Sequence, residues 1–392
     1  MLISENHVII ACCGDVWAER RLKNMIVNFL AGHSIIDVHK TGVQIHDINI
    51  IKSLIELGYT VKIYDFKKKE DYNYEELMTT NDPQILNAVV FSKISARFSK
   101  RLPLQFAFGN DAPKKNEICI VDSCIPIGLQ KQNSYAILHD LMPKIYPDYY
   151  QNLIDENAYM KGISQLKGIW ANSKSTQKDY LKYYDVDECK LNIVPCCIPD
   201  DYGTQIISQS TKMKKKDFCF YYIGDMRKNK NLAVAIKSFA AFVNREMKKD
   251  CYFVIAGKKG KEYEELYKLV QQLHCEEQIR FVGYISDLEK ANLIANADCL
   301  LFISEYEGFG IPVIEAMACG VPVITSDCSS LKEIGSGAAL LVNPSNEKEV
   351  QEAIKTMYYR TIDVDSLIEN GYKRSKEYSR TTQKNTIKQL LG

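Results

Sequence analysis

The feature that most constrains this chain is the alternation of short apolar runs with segments of helical periodicity. Phe218–Ile223 and Cys251–Ala256 have the length and composition of buried strands, and residues 232–247 between them have the spacing of an amphipathic helix. Alternation of this kind predicts β-α-β units and a mostly parallel α/β sheet. Because 392 residues exceed one ordinary core, we expect two doubly wound, Rossmann-like domains that face each other across a cleft.

A polar stretch divides the chain near its middle. Residues 200–217 carry few apolar side chains and include three successive lysines at 214–216, so they predict a domain boundary. We therefore expect an N-terminal domain at 1–200 and a C-terminal domain at 201–375. Residues 376–392 are predicted to form a terminal helix that packs back towards the N-terminal domain.

Composition excludes several function classes. The formal net charge of +1 lacks the basic excess of nucleic-acid binders, so no nucleic acid is expected as a partner. Thirteen cysteines without a C-x-x-C pair indicate reduced thiols rather than a disulfide framework. The six histidines lack His-Glu-x-x-His spacing, so we expect no metal. Neither domain's first strand leads into Gly-x-Gly-x-x-Gly, so we expect no cofactor either. Without a secretory pattern or an apolar run of roughly 20 residues, a cytoplasmic location is expected.

The most informative segment runs from Ser304 to Val323. Gly308 and Gly310 permit a tight turn after a strand, and Pro312 suits the first position of a helix. The exposed N–H groups of a helix N-terminus bind phosphate well, particularly at the carboxyl end of a strand. This segment therefore predicts a diphosphate site.

Two glutamates flank the predicted turn, with Glu307 before the helix and Glu315 in its expected first turn. Carboxylates accept hydrogen bonds from hydroxyls, so one can serve a sugar and the other a ribose. Either glutamate alone is also explained as a favourable charge near a helix N-terminus. The pair, spaced Glu-x7-Glu around Gly-Phe-Gly-x-Pro, is far more specific than either residue.

The segment resembles the signature of glycosyltransferase family 4, whose members are retaining enzymes with the GT-B fold. The likeness extends to residues 222–224 and 230–232, and to residues 281–284, in the second domain. In the first domain, residues 41–44 resemble the family's glycine loop and residues 139–141 its His-Asp element.

The resemblance implies roles for individual residues. It implies a catalytic set of His139, Asp140, Lys230 and Glu307. Lys230 would neutralise the leaving diphosphate, Glu307 would contact the transferred sugar, and Glu315 would bind the ribose. Relatives often carry arginine where this chain has Asp225, and Arg227 is expected to supply that charge instead. The expected nucleotide-sugar-binding set is Gly42, Gly224, Arg227, Lys230, Val282, Tyr284, Glu307, Gly308, Phe309, Gly310, Ile311 and Glu315.

The implied function is metal-independent, retaining transfer of a hexose from a nucleotide diphosphate sugar to a glycan or lipid-linked acceptor. The stretch at 139–143 is similar to that of mannosyltransferases that build bacterial surface polysaccharides, which favours GDP-mannose as donor, with a UDP-sugar second. A glycoside hydrolase also uses paired carboxylates, but a helix N-terminus beside Lys230 suits a phosphate better. The alternative is a non-catalytic GT-B module that binds a nucleotide or partner and scaffolds a glycan-assembly complex.

The N-terminal region carries a further expectation about membranes. Residues 7–13 are predicted as the first strand and residues 15–40 as an insertion before the first helix. A helix in this insertion can lie on an anionic membrane beside a lipid-linked acceptor, or it can pack on its own domain. Peripheral contact with the inner face of the plasma membrane is therefore one of two expectations. The residues behind it are Trp17, Arg20, Arg21, Lys23, Met25, Ile26, Val27, Phe29 and Leu30.

Overall fold

The protein forms two compact units. The structure is a computed structural model, and it describes residues 25–37, 41–73, 81–93, 103–147, 153–211 and 217–392. Unit 1 comprises the described part of Met1–Asn172 together with Thr176–Cys196 and Gln383–Gly392. Unit 2 comprises Ser173–Ser175 and the described part of Cys197–Thr382.

Unit 1 is built on a seven-stranded sheet with the order β3-β2-β1-β4-β5-β6-β7. Its strands are β1 (Ile26–Ala31), β2 (Thr60–Asp65), β3 (Val89–Phe91), β4 (Ile118–Asp122), β5 (Ser134–Leu138), β6 (Gly168–Ala171) and β7 (Leu191–Ile193). Every neighbouring pair is parallel. Because the strand order reverses between β1 and β4, their carboxyl ends form the switch point at which doubly wound sheets bind ligands.

Helices connect these strands. They are α1 (Gly42–Glu56), α2 (Pro83–Asn87), α3 (Leu104–Phe108), α4 (Met142–Ile145), α5 (Leu153–Ile163) and α6 (Lys174–Tyr183). The long helix α1 begins with a capping box, in which the Thr41 hydroxyl accepts from the Gln44 N–H and the Gln44 side chain accepts from the Thr41 N–H. The predicted glycine loop at 41–44 is therefore the N-terminus of α1.

The apolar side chains of unit 1 alternate between the two faces of the sheet. In β1, Val27 and Phe29 join one buried cluster and Leu30 joins the other. In β5, Ile137 joins the first cluster and Leu138 the second. Since both faces are covered, the strands are continuous apolar runs rather than alternating ones.

The first described strand is not where the sequence analysis placed it. β1 is Ile26–Ala31, within the predicted insertion, and residues 7–13 lie outside the described residues. Val27, Phe29 and Leu30 were assigned to a possible helix, but they lie in a central strand, so that assignment is wrong for this stretch. A short apolar run buried on both faces cannot be distinguished from a buried helix by periodicity alone. Trp17, Arg20, Arg21 and Lys23 of the predicted membrane helix lie outside the described residues.

Unit 2 is built on a six-stranded parallel sheet with the order β10-β9-β8-β11-β12-β13. The strands are β8 (Phe218–Ile223), β9 (Cys251–Ala256), β10 (Ile279–Gly283), β11 (Cys299–Phe302), β12 (Val323–Ser326) and β13 (Leu340–Val342). Its order reverses between β8 and β11, so residues 224–230 and 303–310, which follow these two strands, come together at one edge.

Helices of the second half follow the same pattern of crossovers. They are α7 (Tyr202–Gln209), α8 (Leu232–Glu246), α9 (Tyr263–Gln272), α10 (Asp287–Asn296), α11 (Ile311–Ala318), α12 (Ser329–Gly335), α13 (Glu347–Tyr359), α14 (Val364–Glu377) and α15 (Arg380–Leu391). No helix within the described residues is both long enough and apolar enough to cross a bilayer.

The chain passes from unit 1 to unit 2 near residue 196 and returns to unit 1 near the C-terminus. The chain enters the main part of unit 2 at Cys197, close to the predicted boundary at 200, and returns to unit 1 at Gln383. Gln383 Nε2 donates to the carbonyl of Pro195 at 2.8 Å, and Gln383 Oε1 accepts from Ser53 Oγ at 2.9 Å. These bonds lie within unit 1 and connect Gln383 of α15 to α1 and to the loop after β7.

Candidate active site

The turn formed by residues 303–310 connects β11 to α11 at the carboxyl edge of the unit 2 sheet. Hydroxyl groups from neighbouring elements fix its backbone. Ser326 Oγ, at the end of β12, donates to the carbonyl of Ser304 at 2.7 Å. Ser330 Oγ, in α12, lies 2.8 Å from the carbonyl of Glu307 and 2.6 Å from that of Phe309. The 303–310 turn is therefore a fixed part of the sheet edge rather than a loose loop.

Within this turn, Glu307 forms an ion pair with Lys230. Lys230 Nζ lies 2.7 and 2.8 Å from the two carboxylate oxygens, and Ser304 Oγ donates to Glu307 Oε1 at 2.6 Å. The two charged side chains are 11% and 12% exposed, so the pair is largely shielded from water. Nζ also lies 5.9 Å from the centre of the Phe302 ring, close enough for a cation–π contact. The protein itself thus fixes the position of the Lys230 charge.

One backbone and one side-chain hydrogen bond connect the segment that carries Lys230 to the 303–310 turn. The Glu305 N–H donates to the carbonyl of Asn229 at 2.8 Å. Asn229 Nδ2 in turn donates to the carbonyl of Tyr306 at 3.1 Å. Two segments far apart in the sequence therefore share one hydrogen-bonded framework, which sets the distance between their charges.

Helix α11 begins directly after Gly310, which has a φ of +118° that L side chains rarely adopt. A Cβ added at Gly310 would lie 2.6 Å from Leu331 Cδ2, so space also favours glycine here. The first N–H groups of an α-helix have no intrahelical acceptor, and the helix dipole favours an anion beside them. The predicted helix N-terminus is present, and it carries Gly308, Phe309, Gly310 and Ile311 at or next to its start.

Glu315 lies in the second turn of α11, which corrects the predicted first-turn position. The helix starts at Ile311, one residue before Pro312, so Glu315 is its fifth residue. Its side chain is 7% exposed and forms an ion pair with Lys290 of α10, whose Nζ lies 2.6 Å from Glu315 Oε1. Burial and the nearby charge of Glu315 raise the pKa of the Tyr202 hydroxyl. Lys290 and Tyr202 were not identified from the sequence because neither belongs to a motif.

The other predicted nucleotide-binding residues of unit 2 lie at strand ends. Gly224 follows β8, and an added Cβ would lie 2.5 Å from a tyrosine hydroxyl. Arg227 Nε donates to Asp225 Oδ2 at 2.5 Å, so the predicted phosphate ligand already pairs with the acid that replaces the family's arginine. Val282 and Tyr284 are 48% and 56% exposed at the end of the edge strand β10. Exposed apolar and aromatic surface of this kind suits stacking of a flat base.

The predicted residues of unit 1 lie at two different elements. Gly42 is the first residue of α1. His139 and Asp140 directly follow β5, and Asp140 Oδ1 accepts from the Met142 N–H at 2.8 Å at the start of α4. Asp140 thus has a structural role, and its predicted catalytic role stays a prediction.

His139 belongs to a group that we call the His–Asp cluster, formed by the buried Asp47 and Asp122 and the partly buried His33 and His139. His33 follows β1, Asp47 lies in α1, and Asp122 ends β4. His33 Nε2 lies 2.9 Å from Asp47 Oδ2, and His33 Nδ1 lies 3.4 Å from Asp122 Oδ2. His139 Nε2 lies 3.3 Å from Asp122 Oδ2 and 3.5 Å from Asp47 Oδ1. Of these four residues, only His139 was predicted from the sequence, because the other three belong to no motif.

In the His–Asp cluster, burial and the aspartate charges shift the pKa values of the histidines in opposite directions. Burial alone would lower the pKa of His139, but the charges of Asp122 and Asp47 outweigh it and hold that pKa well above its ordinary value. The same opposition leaves the pKa of His33 raised. His46 packs edge-on against His139 with ring centroids 5.3 Å apart, and burial followed by the charge of His139 keeps its pKa well below the ordinary value.

Comparison with known proteins decides the family. The family model described as glycosyl transferases group 1 matches residues 204–374, which include Lys230, Glu307 and Glu315. O-antigen chain mannosyltransferase B of Escherichia coli is 32% identical over 262 residues, which cover 63% of this chain and 67% of that protein. The chain belongs to the group 1 glycosyltransferases. The predicted enzyme class is therefore confirmed.

One further relative matches this glycosyltransferase in sequence over most of its length, and one solved structure matches it in fold. O-antigen chain mannosyltransferase RfbU of Salmonella typhimurium is 28% identical over 330 residues, covering 81% of this chain and 87% of that protein. The crystal structure of Anabaena Alr3699/HepE in complex with UDP and glucose matches with a TM-score of 0.68 at 15% identity, covering 94% of this chain and 99% of that one. The two parallel-sheet α/β units have the GT-B fold, as predicted.

Proposed function

We propose that this group 1 glycosyltransferase transfers mannose from GDP-mannose, with retention at the anomeric carbon, to a glycan or lipid-linked acceptor of a bacterial surface polysaccharide. The observation that carries the proposal is the fixed Lys230–Glu307 pair next to the N-terminus of α11. The choice of mannose rests on two relatives that are named O-antigen mannosyltransferases. A UDP-sugar is the second choice, because the Anabaena structure contains UDP.

Two positive features of unit 2 suit a diphosphate. Lys230 offers a compact ammonium group, and the α11 N-terminus offers the positive end of the helix dipole. Both act on charge that develops on the leaving diphosphate, where prepositioned groups are most effective. We infer that the transfer needs no metal ion at the diphosphate.

The two glutamates are proposed to bind the sugar and the ribose. The Glu307 carboxylate has two oxygens, so it can accept a sugar hydroxyl while it still contacts Lys230. Glu315, oriented by its ion pair with Lys290, would accept the ribose hydroxyls. Val282 and Tyr284 would stack on the base. The roles of Gly42, Gly224, Arg227, His139 and Asp140 in binding or catalysis are proposed on the family resemblance.

The proposed step exchanges one bond at the anomeric carbon for another on the same face. The bond from that carbon to the phosphate oxygen breaks, and a bond to the acceptor hydroxyl oxygen forms. The acceptor proton passes to the departing phosphate oxygen, so the products are the glycoside and the nucleoside diphosphate. Glu307 stabilises the positive charge that develops on the sugar ring in between.

A donor panel tests this function directly. The purified full chain is mixed with a polyprenyl-linked oligosaccharide fraction and with GDP-mannose, UDP-glucose or UDP-N-acetylglucosamine in turn. Release of nucleoside diphosphate is measured, and the anomeric configuration of the product is determined by NMR. We expect GDP release from GDP-mannose and an α-linked product.

Three other outcomes would each contradict one part of the proposal. Faster release of UDP than of GDP would replace the donor, and a β-linked product would exclude retention. Binding of nucleotide without turnover of any donor would favour the non-catalytic scaffold.

A further inference from the structure

We propose that the His–Asp cluster of unit 1 binds a divalent transition-metal ion, with Zn²⁺ as the best match. The ligands would be the carboxylates of Asp47 and Asp122 and the imidazoles of His33 and His139. The proposal uses none of the residues of unit 2 and does not depend on the donor sugar.

The fold brings these ligands to one place. Nitrogen or oxygen atoms of His33, Asp47 and Asp122 all lie within 4.8 Å of one another. The three residues come from the loop after β1, from α1 and from the end of β4, so they meet at the switch point of the sheet. His139 reaches the same two carboxylates from the end of the adjacent strand β5.

The two acids are buried and need a balancing positive charge, which either protons on the two histidines or a bound metal ion can supply. The side chains of Asp47 and Asp122 are 0% and 2% exposed. Within the described part of the chain, the ion pairs of these two acids involve histidines only, and neither lysine nor arginine reaches them. Buried carboxylates are costly unless they are paired or bind a metal.

Three atoms of the cluster point at one another without a hydrogen bond. Asp47 Oδ1, Asp122 Oδ2 and His139 Nε2 are buried, and none has a hydrogen-bond partner among the described residues. His139 Nε2 is 3.3 Å from the Asp122 oxygen and 3.5 Å from the Asp47 oxygen. Two ligands at about 2.1 Å from a tetrahedral ion lie about 3.4 Å apart, so the spacing matches a shared ion.

The donor set selects the kind of metal. Two imidazoles with two carboxylates favour Zn²⁺, and next Mn²⁺ or Fe²⁺, over the all-oxygen sites of Mg²⁺ and Ca²⁺. A metal on His139 Nε2 would leave Nδ1 as the ring nitrogen able to meet a substrate.

Metal content of the purified full chain, expressed without a histidine tag, tests the proposal. Plasma mass spectrometry is expected to find about one transition-metal ion per chain. Stripping with a strong chelator should lower the midpoint of thermal unfolding by more than about 3 °C, and one equivalent of Zn²⁺ should restore it. Wild-type protein loaded with Co²⁺ in place of Zn²⁺ should show the visible absorption of a tetrahedral site, and this test needs no variant.

Two variants assign the ion to these residues. Asp47→Asn and Asp122→Asn should each reduce bound metal at least about tenfold. The matched control is Asp65→Asn, a buried acid at the end of the neighbouring strand β2 whose carboxylate accepts from Ser34, Tyr72 and the Lys67 N–H. This control should retain the metal even if it loses stability.

Two results would overturn the site. In the first, the wild-type chain carries no metal as purified, takes up none of Zn²⁺, Mn²⁺ or Fe²⁺, and does not respond to chelator; protons on the two histidines would then balance the acids. In the second, the metal persists in folded Asp47→Asn and Asp122→Asn proteins, which would place it elsewhere, for example on cysteines.

Discussion

The two polar sites of this protein differ in how their acids are balanced. In unit 2, Glu307 and Glu315 each pair with a lysine within 2.7 Å. In unit 1, Asp47 and Asp122 face only histidines in the described residues, and one oxygen of each lacks a hydrogen-bond partner there. The difference teaches that lysines balance the acids of the first site whatever the pH near neutrality, whereas the acids of the second site depend on protons on histidines or, as we propose, on a bound metal ion.

The largest effect of a single substitution is expected at Lys230. Lys230→Met removes the charge but keeps most of the volume, so the leaving diphosphate loses its prepositioned cation. We expect the transfer rate to fall about 10²- to 10³-fold, the cost of removing one such group. Initial rates with saturating donor measure this.

Lys237→Met is the matched control for that variant. Lys237 is 46% exposed in α8 and pairs with the equally exposed Glu347, so its loss should change the rate less than about twofold. Lys230→Met with more than half of the wild-type rate, in a protein that unfolds at the normal temperature, would refute the assigned role.

A smaller effect is expected at Gly310, where the backbone rather than a charge shapes the site. Gly310→Ala combines a φ of +118° with a Cβ 2.6 Å from Leu331, and should cost about 2 kcal/mol of unfolding free energy. Gly337→Ala has a φ of +74° but no atom within 4 Å of the new Cβ, so it should cost only about 1 kcal/mol. Denaturant unfolding measures the loss of unfolding free energy in both variants. Equal losses would contradict the prediction, because they would mean that Leu331 moves away from the new Cβ without cost.

The smallest effect is expected at the pair formed by Glu315 and Lys290. Glu315→Gln should raise the Michaelis constant for the donor about tenfold and leave the maximal rate nearly unchanged, because the ribose does not react. It should also lower stability by about 1–2 kcal/mol, since Lys290 loses its partner.

The double variant Glu315→Gln, Lys290→Met sharpens that test. It should regain most of the lost stability without regaining donor affinity, because no unpaired charge remains. Recovery of both would show that Glu315 acts only through folding.

Most of the fold was predictable, because both domains repeat one simple pattern. The strands Phe218–Ile223 and Cys251–Ala256 were predicted to the residue, since each is a short apolar run between polar turns. The strand Ile26–Ala31 was missed, because its apolar residues fit a helix as well as a strand buried on both faces.

The candidate site was predictable only where its residues share a motif. Glu307, Gly310 and Glu315 lie in one continuous segment, so their meeting required no knowledge of the topology. The partners Lys290 and Tyr202 come from other elements, and His33, Asp47 and Asp122 meet only because β1 and β4 are neighbours. A single sequence does not encode such contacts as a local pattern.

The most direct test of the central claim is calorimetric titration of GDP into the full chain in buffer that contains a chelator. We expect the wild-type protein to bind GDP without added metal. We expect Lys230→Met to bind GDP at least about 30-fold more weakly, a difference of about 2 kcal/mol, while the affinity for guanosine is the same in both proteins. Equal GDP affinity in the two proteins would contradict the claim that Lys230 beside the α11 N-terminus forms the diphosphate site.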